Sequence, residues 1–206
     1  DRNFSGRALA VAMALAFTAL LVFNIKYNWL DIRSAKGMAL KNERFVKWNS
    51  FSRIAVAKEG DSERANIVID ADAATGIAQF NFDSLDPATR EGLLRNGPGL
   101  PYRLRPGAKT LIIGPGGGWD VSRALASGSK DVTGVEINPI IATTVMREKF
   151  SDLSRRLYFR PEIRIVVEDG RSFVRRTPEK YQVIQATLVD TWASTAAGAF
   201  SLSENN

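Results

Sequence analysis

Thr110-Leu111-Ile112-Ile113-Gly114-Pro115-Gly116-Gly117-Gly118-Trp119-Asp120 is the stretch on which the fold turns. Thr110 to Ile113 reads as a short apolar strand and Val121 to Ala126 begins a helix, so the glycines make a strand-to-helix turn. A tight connection of that kind needs one or two glycines. Four in the five positions 114–118 point to a ligand that approaches the backbone where no Cβ stands in its way. Downstream the rhythm continues. Val132 to Val135 reads as strand, Pro139 to Phe150 as helix, Ile163 to Val167 as strand, Ser172 to Arg176 as a short helix, and Tyr181 to Leu188 as a fourth strand. This alternation predicts an α/β, Rossmann-like domain with a parallel sheet, right-handed crossovers and a ligand at the strand C-termini.

Two acids stand where such a ligand needs them. Glu136 ends the second strand, twenty-two residues after Gly114, at the place where an acid in this fold accepts hydrogen bonds from ribose hydroxyls. A glycine turn followed by such an acid suits either a nicotinamide dinucleotide or an adenosyl cofactor. The dinucleotide pattern wants a further glycine near position 119, for close packing beside the pyrophosphate, and Trp119 stands there instead. The third strand runs into Glu168-Asp169-Gly170-Arg171. An acid followed by glycine at that strand end can accept the exocyclic amine of adenine while leaving room for its ring, although Asp-Gly is also an ordinary turn.

Upstream the texture differs. Ser52 to Val56 and Ile77 to Phe82 alternate, Asn66 to Asp70 is apolar in the middle, and Gly76 reads as a turn residue, which predicts a small antiparallel β-sheet domain over 43–84. Asp86-Pro87 opens a short helix through Leu94, and Gly97-Pro98-Gly99 with Pro101 reads as a linker to the α/β domain over 105–206. The segment 1–30 is different again. Eighteen residues without a charge, Ala8 to Ile25, span about 27 Å as a helix, enough to cross a bilayer. A buried core helix and a secretory segment pass the same length test, but no small-residue cleavage site follows. Lys26, Arg33, Lys36, Lys41, Arg44 and Lys47 come next, and by the positive-inside rule they predict a membrane protein with its soluble domain on the cytoplasmic side. The chain opens on Asp1 and stops at Asn206 inside what reads as an α/β domain incomplete at its C-terminus. Val183 to Leu188 is then expected to present an open sheet edge.

Composition narrows the chemistry. There is no Cys and no His, which excludes thiolate nucleophiles, disulfides, Ser-His triads and the usual zinc sites, so no metal is expected. The net charge is +6, yet Lys and Arg are scattered without a dense tract, which argues against a nucleic-acid partner.

Taken in order, these residues resemble the spermidine synthase family within the S-adenosylmethionine-dependent transferases. The likeness runs from about Phe45 to Glu204, through Trp48 to Val56, Leu111-Ile112-Ile113-Gly114, Val135-Glu136-Ile137, Glu168-Asp169-Gly170-Arg171, Tyr181 to Asp190 and Phe200-Ser201-Leu202-Ser203-Glu204. It is similar, more narrowly, to the membrane-attached branch, in which helices precede such a domain. The resemblance implies a Rossmann-like S-adenosylmethionine-dependent transferase fold. It implies that Glu136 holds the ribose, Asp169 and Gly170 the adenine, and Gly114, Gly116, Gly117 and Gly118 the loop beside the methionine-derived part. S-adenosylmethionine or its decarboxylated form is the implied co-substrate, and a small amine the implied acceptor.

The departures fall on the acceptor side. Family members carry an acid inside the glycine turn, where Gly117 stands here, and a catalytic Asp at a position aligned with Thr187, with a second Asp three residues on, which is Asp190. Their Tyr-Gln pair falls at Phe51-Ser52. Asp190 is therefore the candidate for binding or deprotonating the acceptor, and Asp120 the candidate replacement for the lost acid unless it only caps helix amides. Aminopropyl transfer is the first reading, methyl transfer on the same fold the second, and a catalytically inactive nucleoside-binding membrane protein the third. Self-association stays open.

Overall fold

A computed structural model describes residues 2–27, 29–30, 34–35, 38–39, 42–50, 52–60, 62–70, 73–95 and 97–189. The chain falls into two compact units, residues 1–40 and 41–206. The first holds the helix α1, Arg2–Tyr27, and a two-residue ladder of β1, Ser34–Ala35, with β2, Met38–Ala39. Within α1, Gly6–Tyr27 is long and apolar enough to cross a membrane, and Leu9, Leu15, Phe17 and Leu21 are exposed along it. At its C-terminal end Phe23 packs on Tyr27 and Trp29, and the Asn24 side chain accepts a hydrogen bond from the Leu30 amide at 2.6 Å.

The second unit begins with a four-stranded antiparallel sheet in the order β3-β4-β5-β6, made of Glu43–Trp48, Arg53–Lys58, Ala65–Ile69 and Ala73–Gly76. In the central strand β4, Ile54, Ala55 and Val56 are all fully buried, so alternation gives way to a continuous apolar run covered on both faces. The strand expected at Ile77 to Phe82 lies earlier, at Ala73–Gly76. Ile77 still donates to Ala65 O at 2.8 Å, but the Ala78 amide turns to Gly117 O, also at 2.8 Å. Residues 77–82 thus leave the sheet to cover the glycine turn, a tertiary contact that outranks their alternating pattern.

Arg53 is the charged residue inside this sheet. It is 2% exposed, and its guanidinium forks onto both carboxylate oxygens of Glu43, at 2.7 and 2.8 Å. Planar guanidinium and carboxylate match each other's geometry, and the pair locks β3 to β4 beside the bulge between Glu43 and Phe45. Removing the carboxylate with Glu43→Ala is expected to cost about 2 kcal/mol, because the two charge-assisted hydrogen bonds that tie β3 to β4 are lost. Urea unfolding of the variant measures that loss. An unchanged midpoint would contradict the role given to the pair.

The helix α2, Pro87–Arg95, starts where Asp86 accepts the Thr89 amide at 2.9 Å, and hydrogen bonding to the Thr89 side chain first and to its amide second draws the Asp86 carboxyl below its ordinary value. The glycine-proline cluster expected to be a linker is helical instead. A short 3₁₀ turn, Gly97–Gly99, leads into α3, Leu100–Leu104, with Pro101 near its start and Tyr102 fully buried as its anchor.

The second sheet is parallel, in the order β10-β7-β8-β9. Its strands are β7, Thr110–Ile113; β8, Val132–Glu136; β9, Ile163–Val167; and β10, Val183–Ala186. The connections carry α4, Trp119–Ala126, a π-helix, Ile140–Lys149, and α5, Gly170–Arg176. Every residue of β8 is buried. Both sheets feed one core, in which Ile54, Val56 and Ile67 share a cluster with Val121, Ile141, Val145 and Met146. The fold is therefore α/β with an antiparallel sheet preceding the parallel one. Among the described residues β10 is an edge strand with Ile184 exposed.

Candidate functional site

The site grows from the turn between β7 and α4. Gly114, Gly116 and Gly118 take φ of +66°, +50° and +90°, in the left-handed region where a Cβ is strained. Pro115 packs on Gly134 of β8, where an added Cβ would stand 3.0 Å from the proline ring. The turn is thereby held down on the neighbouring strand.

The other reason for these glycines is the protein itself. A Cβ on Gly117 would lie 2.0 Å from Gly76 O, one on Gly118 2.5 Å from a Leu157 methyl, and one on Gly116 3.3 Å from Thr75. A Cβ on Gly114 would lie 2.5 Å from Val189. The turn is thus lined by the end of β6 on one side and by Val189 on another. Trp119 does not enter it. The indole lies edge-on to Phe80 at 5.3 Å between ring centres, with Nε1 over Gly76.

Glu136 reaches the turn directly. One carboxylate oxygen accepts the Gly116 amide at 3.1 Å and the other accepts the Asn138 amide at 3.0 Å. The side chain is 4% exposed, and burial raises its pKa above the ordinary carboxylate value while those backbone bonds pull the other way. Tyr158, also buried, donates to Gly116 O at 2.7 Å and fixes the turn from behind. Burial first and the nearby Glu136 charge second push its phenol well above its ordinary pKa, so it remains a donor.

Asp169 stands at the end of the adjacent strand, since β8 and β9 pair through Glu136 and Val167 and Glu168 N donates to Glu136 O at 3.1 Å. Its Oδ1 accepts the Ser172 amide at 2.9 Å, which caps α5 and holds the carboxyl below its ordinary value. Gly170 packs on Ile113, whose methyl would be 2.7 Å from a Cβ there. Ile113, Asp169, Gly170, Arg171, Ser172 and Val174 line an open cleft of about 620 Å³ on the Asp169 side, and neither Glu136 nor the glycines of the turn are among its lining residues. That volume falls in the range of small-molecule and cofactor sites.

The acceptor candidates are placed differently. Asp190 lies outside the described residues, as do Phe51 and Phe200 to Glu204. Asp120 is 6% exposed and makes no capping bond, since the α4 N-cap is Gly118 without a side-chain partner. It is paired instead with Arg123 at 2.5 Å. Tyr102 lies close by, its phenol pushed up by burial and then by the Asp120 charge. Thr187 accepts a hydrogen bond from Gln185 at 3.0 Å. The structure therefore brings Glu136 and the glycine turn together, sets Asp169 and Gly170 on the next strand end, and turns Asp120 toward Arg123. Tyr158, Asn138 and Asn49 join the site from positions that no motif marked, and Ser52 joins it from the position aligned with the family's Tyr-Gln pair.

A parallel sheet with a glycine turn after its first strand, and an antiparallel sheet preceding it, defines an α/β, Rossmann-like class. No protein-family model matches the chain. A polyamine aminopropyltransferase of Thermoplasma acidophilum is 32% identical over 104 residues, which cover 50% of this chain and 37% of that protein. A solved spermidine synthase in complex with the transition-state analogue AdoDATO matches with a TM-score of 0.53 at 21% identity, over 72% of this chain and 47% of the other. The spermidine synthase of Thermotoga maritima matches with a TM-score of 0.53 at 20% identity, over 76% and 50%. The chain thus spans about two-fifths of the curated relative and about half of the solved structures. In fold the chain resembles the spermidine synthases, and over half of its length its sequence is similar to a polyamine aminopropyltransferase.

Proposed function

We propose that the chain forms part of a membrane-attached, spermidine-synthase-like transferase that moves an aminopropyl group from decarboxylated S-adenosylmethionine to a small amine. The observation that carries this reading is the buried Glu136 carboxylate hydrogen-bonded to the Gly116 amide, an acid fixed against the glycine turn. The likeness to a polyamine aminopropyltransferase favours aminopropyl over methyl transfer.

In this reading Glu136 accepts from the ribose hydroxyls, Asp169 accepts from the adenine amine, and Gly170 with Ile113 supports the ring. The backbone of Gly114, Gly116, Gly117 and Gly118 lies beside the sulfonium-bearing chain. The amine lone pair attacks the propyl carbon next to sulfur, the carbon–sulfur bond breaks toward sulfur, and neutral methylthioadenosine leaves. The new ammonium then gives up a proton. A sulfonium is already a good leaving group, so the protein's share is in-line positioning and removal of that proton. Asp190 is the group assigned to orient and deprotonate the amine. Helix α1 anchors the domain, and the basic residues after it put the domain on the cytoplasmic face.

The test is a product assay on the full-length protein in detergent, given either form of the co-substrate and a panel of short diamines. Methylthioadenosine is the expected product. S-adenosylhomocysteine would establish methyl transfer instead, and binding without product would leave a nucleoside-binding protein. Asp190→Asn is expected to lower turnover about 100-fold or more with co-substrate affinity unchanged.

A further inference from the structure

The Glu136 strand end is tied to the antiparallel sheet by a closed ring of side-chain hydrogen bonds. Asn49 and Ser52 flank the connection between β3 and β4, and the Asn49 amide donates to Ser52 O at 3.0 Å across it. Asn49 Nδ2 donates to Asn138 Oδ1 at 3.0 Å, Asn138 Nδ2 donates to Ser52 Oγ at 2.8 Å, and Ser52 Oγ donates to Asn49 Oδ1 at 3.1 Å. The Ile140 amide gives Asn138 Oδ1 a second donor at 3.1 Å. Asn138 is 3% exposed and Ser52 7%, so the ring is closed to solvent at its centre. From that fixed residue the Asn138 main-chain amide reaches Glu136 Oε1, while the Gly116 amide holds Oε2.

Each link has a physical consequence. A carboxylate accepting from an amide only two residues ahead is set by a local backbone geometry that turns easily unless the second residue is anchored. Here the anchor is the side chain of Asn138, whose Oδ1 accepts two hydrogen bonds and whose Nδ2 donates one. A buried network of side-chain hydrogen bonds fixes orientation as well as adding stability. The anchor comes from a different sheet, and Asn138 and Ser52 are 86 residues apart in sequence.

We infer that Asn138 is a positioning residue, and that the Asn49–Ser52–Asn138 ring aims the Glu136 carboxylate so that recognition of a ribose diol depends on the antiparallel sheet. The inference rests on the reading of Glu136 as the ribose acid. It assigns the antiparallel sheet a part in nucleoside selectivity.

The experiment is calorimetric titration of the full chain and its Ser52→Ala and Asn138→Ala variants with two probes, 5′-methylthioadenosine and its 2′,3′-dideoxy analogue, with melting temperatures recorded alongside. The wild type is expected to prefer the diol. Each variant is expected to bind methylthioadenosine about tenfold more weakly, the size of one well-placed hydrogen bond, and the dideoxy analogue within about twofold of wild type. The double variant is expected to lose no more than either single one, because both break the same ring. Ser52→Thr keeps the hydroxyl and is expected to keep the preference. Where Ser52→Ala does not fold, Asn49→Ala, at a partly exposed position, carries the same expectation. Equal losses for both probes, or no loss for either, would overturn the inference while the diol preference of the wild type stands. A wild type that binds both probes equally would overturn the assignment of Glu136 itself, and the inference with it.

Discussion

Gly117→Asp is expected to destabilise the fold by about 3 kcal/mol or more and to restore no transfer activity. The family resemblance alone suggests the opposite, since an acid at this point grips the amine end of the substrates. The packing decides otherwise. A Cβ at 117 would stand 2.0 Å from Gly76 O, 2.8 Å from the Gly76 carbonyl carbon and 3.3 Å from Ile77 Cα. These are backbone atoms held on both sides, by the bond from the Ile77 amide to Ala65 O and by the bond from the Ala78 amide to Gly117 O. Neither side yields without breaking sheet or turn pairing. Gly117→Ala isolates the same effect, because its one added carbon is the one that collides. Urea unfolding of both variants measures it. Wild-type stability in Gly117→Ala would mean that β6 does not lie on the turn as described. The missing acid thus goes with a β6 backbone that lies directly on Gly117.

Glu136→Gln is expected to weaken nucleoside binding about 100-fold or more, since two hydroxyl donors lose a charged acceptor. It also presents an amide group to one of two backbone donors, Gly116 N or Asn138 N, that the carboxylate satisfies together. The pH dependence follows from the raised pKa. An acid whose pKa is higher in the folded state than in the unfolded contributes stability that is present below the unfolded value and lost as pH rises through the folded one. Glu136→Gln removes that slope. Binding runs the other way. Ribose hydroxyls bond best to the ionised carboxylate, so affinity is expected to fall as pH drops below the raised value and to be flat there in the variant. Calorimetry between the ordinary glutamate range and neutrality reads both effects. Affinity independent of pH in the wild type would contradict the assignment.

The parallel sheet was legible in the sequence because its signals are local. Each of β7, β8 and β9 is an apolar run that ends at a glycine or an acid, and the structure has all three. Glu136 was legible as well, because the end of the second strand is a fixed place relative to the turn. What the sequence did not disclose depends on contacts between distant segments. Ile77 to Phe82 alternates like a strand, yet Ala78 leaves the sheet for Gly117. Gly97 to Pro101 reads as a linker, yet Tyr102 pulls it into a helix by burying its ring. Gly117 and Gly118 read as room for a ligand, whereas Gly76 and Leu157 occupy the space their side chains would take. Arg53 and Asn138 carry no motif, and only the partners brought to them by folding give them work.

The most direct measurement is a crystal structure of the full-length protein with methylthioadenosine. The account predicts the ribose hydroxyls within hydrogen-bond distance of the Glu136 carboxylate, the adenine amine facing Asp169, and the sulfur beside Gly114 and Gly116. A nucleoside bound elsewhere, or bound beside Asp169 with the ribose turned away from Glu136, would contradict it.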